Sequence, residues 1–249
     1  MALAARGLAR SRSHARELID GGRVLVNARP ANKAAQLVGD DDRLQLTAAD
    51  PYVSRAAYKL LGALADLRLD VGGRALDAGA STGGFTQVLL ERGCRQVVAV
   101  DVGHDQLHPD LRDDARVIVH EGVNLRDLDL AVVDGDPVDL VVADVSFISL
   151  TLILPQLISV LRPGGILLTM IKPQFEVGRE RLGKGGVVRS TALRRSGVEA
   201  VCATAEEHGW SAQDGAPSRL PGPAGNVEYF VRFAVGSPDP AVLDRLFSD

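Results

Sequence analysis

Apolar positions between residues 73 and 235 fall into short, nearly continuous blocks: "RALDAG", "QVVAVD", "RVIVHEG", "VDLVVADV", "GGILLTMI" and "EYFVRFAV". Blocks of this length, unbroken by polar alternation, suit strands buried on both faces. Segments between them carry apolar residues at helical spacing, and such alternation predicts a parallel sheet with helices on both sides. The expected fold is α/β, a doubly wound, mostly parallel, seven-stranded Rossmann-like sheet. Its last two strands, near 212–219 and 227–235, are joined by "LPGPAGN", too short for a helical crossover, so the last strand is expected to run antiparallel. Ahead of the sheet, "AAYKLLGALADL" reads as an amphipathic helix.

The front of the chain has a different rhythm. "ARSRSHARELIDGG" predicts a helix capped by Ser11 or Ser13, with Ala15, Leu18 and Ile19 inward, that stops at Gly21-Gly22. "RVLVNARP" and "DRLQL" predict short strands, and Asp40-Asp41-Asp42 a solvated turn before the second. The expected division is a small α+β module over 1–48, a linker over 49–54 broken by Pro51, and the large domain over 55–249.

Charge sharpens that division. The 249 residues carry a net charge of −4, but residues 1–39 hold seven Arg or Lys against two acids, a local +5, and the remainder is −9. A basic head on an acidic body is an electrostatic handle for a polyanion. Two cysteines without Cys-x-x-Cys, and five histidines with no ligand spacing to them, support neither a disulfide framework nor a metal site. No aliphatic run approaches the ~20 residues that span a bilayer, and no signal-type core opens the chain, so a cytoplasmic location without membrane partners is expected.

Candidate chemistry begins at "LDAGASTGGF", residues 76–85, a strand, a glycine turn and a helix starting near Thr82 or Gly83. It lacks the Gly-Lys-Ser/Thr of a phosphate loop and the G-x-G-x-x-G of dinucleotide binders. Asp77 would repel a pyrophosphate but pair with an amino acid's ammonium group. Asp101, ending the next strand, suits the two hydroxyls of a ribose, and Asn124 in "EGVNLRD" an adenine. An amino-acid end, a ribose and no phosphate describe S-adenosylmethionine. Its expected contacts are Asp77, Gly79, Ala80, Ser81, Gly83, Gly84, Phe85, Asp101, Val102, Asn124 and Asp144.

Reacting groups in such sheets emerge at the C-terminal strand ends. Asp144 ends the fourth strand and Lys172 in "MIKPQF" the fifth, two opposite charges side by side. Together "VSRAAYKL", "LDAGASTGGFTQVLLERG", "VADVSFISL", "IKPQFEVG" and "LPGPAGNVEYF" resemble the TlyA family, ribosomal RNA 2'-O-methyltransferases of the FtsJ-like superfamily, over essentially the whole chain. The resemblance implies a catalytic tetrad of Lys59, Asp144, Lys172 and Glu228. In it Lys172 is the general base for a ribose 2'-hydroxyl, Lys59 holds that hydroxyl, Asp144 orients Lys172, and Glu228 anchors the lysine and ribose.

The front, "GLARSRSHARELIDGGRVLVNARPANKAAQLVGDDDRLQL", is similar to an RNA-binding module shared by a ribosomal small-subunit protein, some pseudouridine synthases and tyrosyl-tRNA synthetases. Members carry more residues before the first helix, so its front is expected to be missing here. The implied partners are ribosomal RNA or ribosomal subunits, with cytidine the implied target. Arg10, Arg12, Lys33, Arg55, Arg179 and Lys184 are the expected phosphate contacts, and Phe147 or Phe175 is available for base stacking or for packing. The alternatives are a small-molecule methyltransferase, a membrane-active haemolysin-like protein, since relatives of this family carry that name, and a cofactor-free RNA-binding assembly factor.

Overall fold

A computed structural model describes residues 2–9, 12–20, 22–31, 33–47, 51–183 and 185–247. The chain divides into two compact units, 1–54 and 55–249.

In the first unit, α1 (Ala2–Ala5) and α2 (Arg12–Asp20) precede β1 (Val24–Val26), β2 (Arg29–Pro30) and β3 (Leu44–Leu46), which form an antiparallel sheet in the order β2-β1-β3. Leu3, Ala15, Leu18, Val24 and Val26 fill its core. The sequence pattern assigned no element before Ser11, yet α1 forms because Leu3 has this core to enter. The predicted cap lies outside what can be described, since Ser11 and the side chain of Ser13 are not among the described residues. Arg6, counted in the basic head, is spent internally on the carbonyls of Asp42 and Gly39. Asp42 itself closes the acidic turn, accepting from Gly39 N and Asn27 Nδ2, which hold its carboxyl below the usual carboxylate range.

The second unit opens with α3 (Ala56–Asp66) and continues β4 (Gly73–Ala78), α4 (Gly84–Glu91), β5 (Cys94–Asp101), α5 (Pro109–Arg112), β6 (Val117–Glu121) and β7 (Val138–Ala143). Then come α6 (Leu154–Ser159), β8 (Leu161–Ile171), α7 (Pro173–Glu176), α8 (Thr191–Glu207), β9 (Trp210–Pro217), β10 (Tyr229–Val235) and α9 (Val242–Phe247). Seven strands pair in the order β6-β5-β4-β7-β8-β10-β9. The first five are parallel, and β10 runs antiparallel to both neighbours, as the short final connection required. β8 is longer than its apolar run predicted: it starts at Leu161, and Pro163-Gly164-Gly165 are absorbed where the register against β7 shifts.

The alternation of a strand decides which residues meet which layer. Leu76, Ala78, Val98 and Val100 join α6, α8 and α9 in one apolar core. Ala75, Asp77, Val97 and Ala99 are as deeply buried between them, on the opposite face, where α4 packs on β5. Strand order reverses direction between β4 and β7, which opens a crevice at their C-terminal ends. Among the described residues, no helix is long and apolar enough to cross a membrane, and no group of three His, Cys, Asp or Glu is arranged to hold a metal ion.

Candidate active site

Four charged side chains converge as two pairs at this end of the sheet. Lys172 follows the last residue of β8, and Pro173, the first residue of α7, requires it to be extended; its φ of −111° and ψ of 99° meet that requirement. Its Nζ lies 2.6 Å from Asp144 Oδ1, at the exit of β7. That contact is an ion pair by distance, and Asp144 Oδ1 receives no aligned hydrogen bond. The aligned bond of Lys172 goes instead to Ser146 Oγ, at 2.8 Å.

The second pair comes from outside the parallel strands. Lys59, on α3, donates to Glu228 Oε2 at 2.6 Å. Because β10 runs against β8 with Tyr229 opposite Ile171, Glu228 stands at the level of Lys172 on the neighbouring strand. Glu228 is 1% exposed and both lysines 8%, so each pair is largely withdrawn from water, where unpaired charges are costly to keep. Room for the Glu228 carboxylate depends on Gly222, whose missing Cβ would stand 2.6 Å from Oε1.

The glycine loop lies against the ends of β5 and β7. Gly79 and Ala80 donate to Val100 O, and a Cβ on Gly79, whose φ is +88°, would sit 2.5 Å from Asp144 O. Ser81, at φ +47°, donates its N–H to Asp101 Oδ2 at 2.9 Å, and Gly103 N donates to Asp101 Oδ1 at 2.7 Å. Two backbone donors therefore orient the Asp101 carboxylate, while each oxygen keeps a further acceptor site. Val102, beside it, is 68% exposed, an apolar surface next to a polar one. Gly83, at φ +94°, precedes α4, which begins at Gly84, slightly later than predicted.

Three of the expected contacts also have structural partners of their own. The Phe85 side chain is turned into the core, its ring 6.1 Å from that of Phe230, leaving only its backbone toward the loop. Asn124 is exposed, and its Oδ1 accepts from Arg126 N to cap the 3-10 turn Leu125–Asp127. Asp77 is not an open carboxylate. It is wholly buried, Oδ2 accepts from Thr86 Oγ1 at 2.7 Å, and Oδ1 has no protein partner. Burial pushes its pKa up to about 7, against the pull of the Thr86 hydroxyl, with Asp144 and Asp101 adding to the rise. A direct ion pair with an ammonium, as the sequence suggested, therefore requires this enclosure to open or a water to bridge.

Arg55 and Arg179 are exposed, at the start of α3 and in the 3-10 turn Arg179–Arg181. Arg12 and Lys33 are exposed on the first unit, and Arg10 and Lys184 lie outside the described residues. Phe147 is 92% exposed, at φ +67°, with its ring 5.4 Å from Phe175. Two residues escaped the sequence reading. Ser146 stands two positions after Asp144, the spacing that brings side chains to one side of an extended chain. Glu176 ties α7 to the β7 exit loop, accepting from Ser149 Oγ at 2.5 Å and Leu150 N at 3.0 Å. Burial raises its pKa, against the pull of those two donors.

The crevice suits a nucleoside carrying a positively charged amino-acid tail. No Lys or Arg lies between Asp77 and Phe85 to balance a pyrophosphate, whereas Asp101 offers acceptors for hydroxyls and Asp77 Oδ1 is buried without a partner.

Comparison with known proteins identifies the family of each unit. Residues 52–234 match the model of the FtsJ-like methyltransferases and residues 1–44 that of the S4 domain. The chain is 50% identical over 232 residues to the 16S/23S rRNA (cytidine-2'-O)-methyltransferase TlyA of Mycobacterium tuberculosis, covering 92% of this chain and 86% of that one. It is 35% identical to the 23S rRNA (cytidine-2'-O)-methyltransferase TlyA of Campylobacter jejuni, over 88% of this chain and 92% of that one. A solved structure described as that of a candidate hemolysin from Streptococcus thermophilus superposes with a TM-score of 0.77 at 36% identity, covering 98% of this chain and 91% of the other.

Proposed function

The chain belongs to the FtsJ-like methyltransferase family, among the TlyA proteins, and from that membership we propose that it methylates the ribose 2'-hydroxyl of a cytidine in ribosomal RNA. S-adenosylmethionine, when bound, supplies the electrophilic methyl group. The residues that would hold it are Asp101, for the ribose hydroxyls, Val102, for the adenine face, and the loop from Gly79 to Gly84; Asp77, behind that loop, biases it toward a positive tail.

A ribose 2'-hydroxyl is a weak nucleophile and must lose its proton as it attacks. Lys172 acts from its neutral form: Nζ takes that proton and releases it to solvent before the next turnover, and Asp144, 2.6 Å away, balances the charge that Lys172 carries in between. Lys59 Nζ, held by Glu228, donates to the same hydroxyl oxygen and keeps it aligned. Withdrawal of both pairs from water strengthens these interactions where the oxygen develops charge. Phe147, exposed over Phe175, offers a ring on which an extruded base stacks. The exposed Arg12, Lys33, Arg55 and Arg179 meet RNA phosphates, and Arg10 and Lys184 act with them. A ribosomal substrate places this work in the cytoplasm.

The observation that carries the reading is the pairing of Lys172 with Asp144 and of Lys59 with Glu228 at the crevice. No observation favours the membrane-lytic or cofactor-free alternatives. The expected outcome is that purified protein transfers labelled methyl from S-adenosylmethionine to ribosomal subunits, and that Lys172→Ala lowers the rate ~10²–10⁴-fold with an unchanged melting temperature. Full activity in that variant would remove Lys172 from the role of base.

A further inference from the structure

A base must present its lone pair in one direction, and a lysine amine turns freely unless something holds it. Asp144 supplies a counter-charge at 2.6 Å, in a contact whose heavy-atom angles fall short of a hydrogen bond. The aligned acceptor is Ser146 Oγ, at 2.8 Å. We propose that Ser146 is a positioning residue for the methyl-transfer step, holding the Lys172 amine in the rotation that aims its lone pair at the substrate hydroxyl.

The chain is built to put that hydroxyl there. Asp144 and Ser146 are two residues apart and both reach Lys172, while Val145 between them is buried in the core and anchors the segment. The next residue, Phe147, has φ +67°, a left-handed conformation that a bulky non-glycine residue adopts only where its surroundings impose it. That turn carries the Phe147 ring out over Phe175, and leaves Ser146 as the last residue on the Lys172 side. Glu176, bonded to Ser149 and Leu150, fixes the far end of the same loop to α7, directly after Lys172 and Pro173.

A hydroxyl suits this role better than a second carboxylate. A neutral amine and an ammonium both donate to a hydroxyl oxygen, so the same bond persists on either side of the proton transfer. A second carboxylate would add negative charge and hold the proton on the lysine, opposing its use as a base. Ser146 is itself exposed, so its removal opens no cavity.

This inference rests on the assignment of Lys172 as base, and three variants separate the two. With ribosomal subunits from cells lacking the gene and labelled S-adenosylmethionine, Ser146→Ala is expected to lower kcat about five- to tenfold, the scale of one lost orienting hydrogen bond. The KM for subunits and the melting temperature stay at wild-type values, and Ser146→Thr, which keeps the hydroxyl, recovers most of kcat. Lys172→Ala in parallel reports on the parent reading. If Lys172→Ala is inactive while Ser146→Ala turns over at the wild-type rate, or if threonine fails to rescue, the role of Ser146 is overturned and that of Lys172 stands. A loss in Ser146→Ala that lies in KM rather than kcat makes Ser146 an RNA contact and also overturns the proposal. An active Lys172→Ala enzyme overturns both.

Discussion

Asp77, placed by the proposed function behind the cofactor loop, is expected to link stability to ligand binding. Its ordinary pKa is 3.8, and burial raises it to about 7 in the folded protein. The folded state therefore keeps a proton that the unfolded chain releases, so the stability contributed by this group is full below about pH 4 and falls as pH rises toward 7. Asp77→Asn removes the penalty. Its melting temperature, relative to wild type, is expected to gain more at pH 8 than at pH 5, with the gain levelling off above pH 7. Calorimetric titration with S-adenosylmethionine is expected to show weaker binding by the same variant, because the negative charge favouring a cationic tail has gone. A gain that does not vary with pH would show that the carboxyl is already ionised at pH 5. The sequence marked Asp77 by its place before Gly79, but strand alternation turned the side chain beneath the loop toward Thr86.

At the scale of elements, α3 is held to the segment before β10 along a single stripe. Lys59, Gly62 and Asp66 recur at helical spacing, and each meets that segment. Lys59 pairs with Glu228, Gly62 lies under the Arg219 stem, with a Cβ there 2.9 Å from Cδ, and Asp66 takes the Arg219 fork at 2.5 and 3.0 Å. The Arg219–Asp66 pair is open to solvent on the arginine side and contributes little stability by itself. Its effect is on register, since it fixes how α3 presents Lys59. Asp66→Arg and Arg219→Asp are each expected to lower methylation about threefold or more, and the charge-swapped double variant to recover most of it. Additive losses in the double variant would mean that the two residues act separately. The helix was legible from its apolar stripe, whereas its partner, more than 150 residues away in sequence, was not.

For the whole molecule, the uneven charge predicts a division of labour. Exposed cations of the first unit are expected to contribute affinity for RNA through counterion release, which is sensitive to salt and indifferent to chemistry at the crevice. Replacing Arg12, Arg29 and Lys33 with Gln, all exposed, is expected to raise KM for ribosomal subunits and to flatten its dependence on log salt by about two to three. kcat at saturating subunits should stay unchanged. A fall in kcat at unchanged KM would place these residues in the reaction rather than in docking. Arg6 is left out because its guanidinium already closes the acidic turn.

By itself the sequence determined the parallel sheet, the antiparallel last strand and the glycine loop, because strand burial, connection length and turn chemistry are local properties written in neighbouring residues. It also marked Asp144 and Lys172, since strand ends in such sheets face the crevice. Only the tertiary structure decided how the charges pair. Lys59 meets Glu228 because antiparallel pairing of β10 with β8 carries residue 228 back to the crevice, where α3 also arrives. Only packing sent Phe85 inward to Phe230 and enclosed Asp77. Ser146 became visible last, because an exposed serine in a loop has no signature until the lysine it orients stands 2.8 Å away.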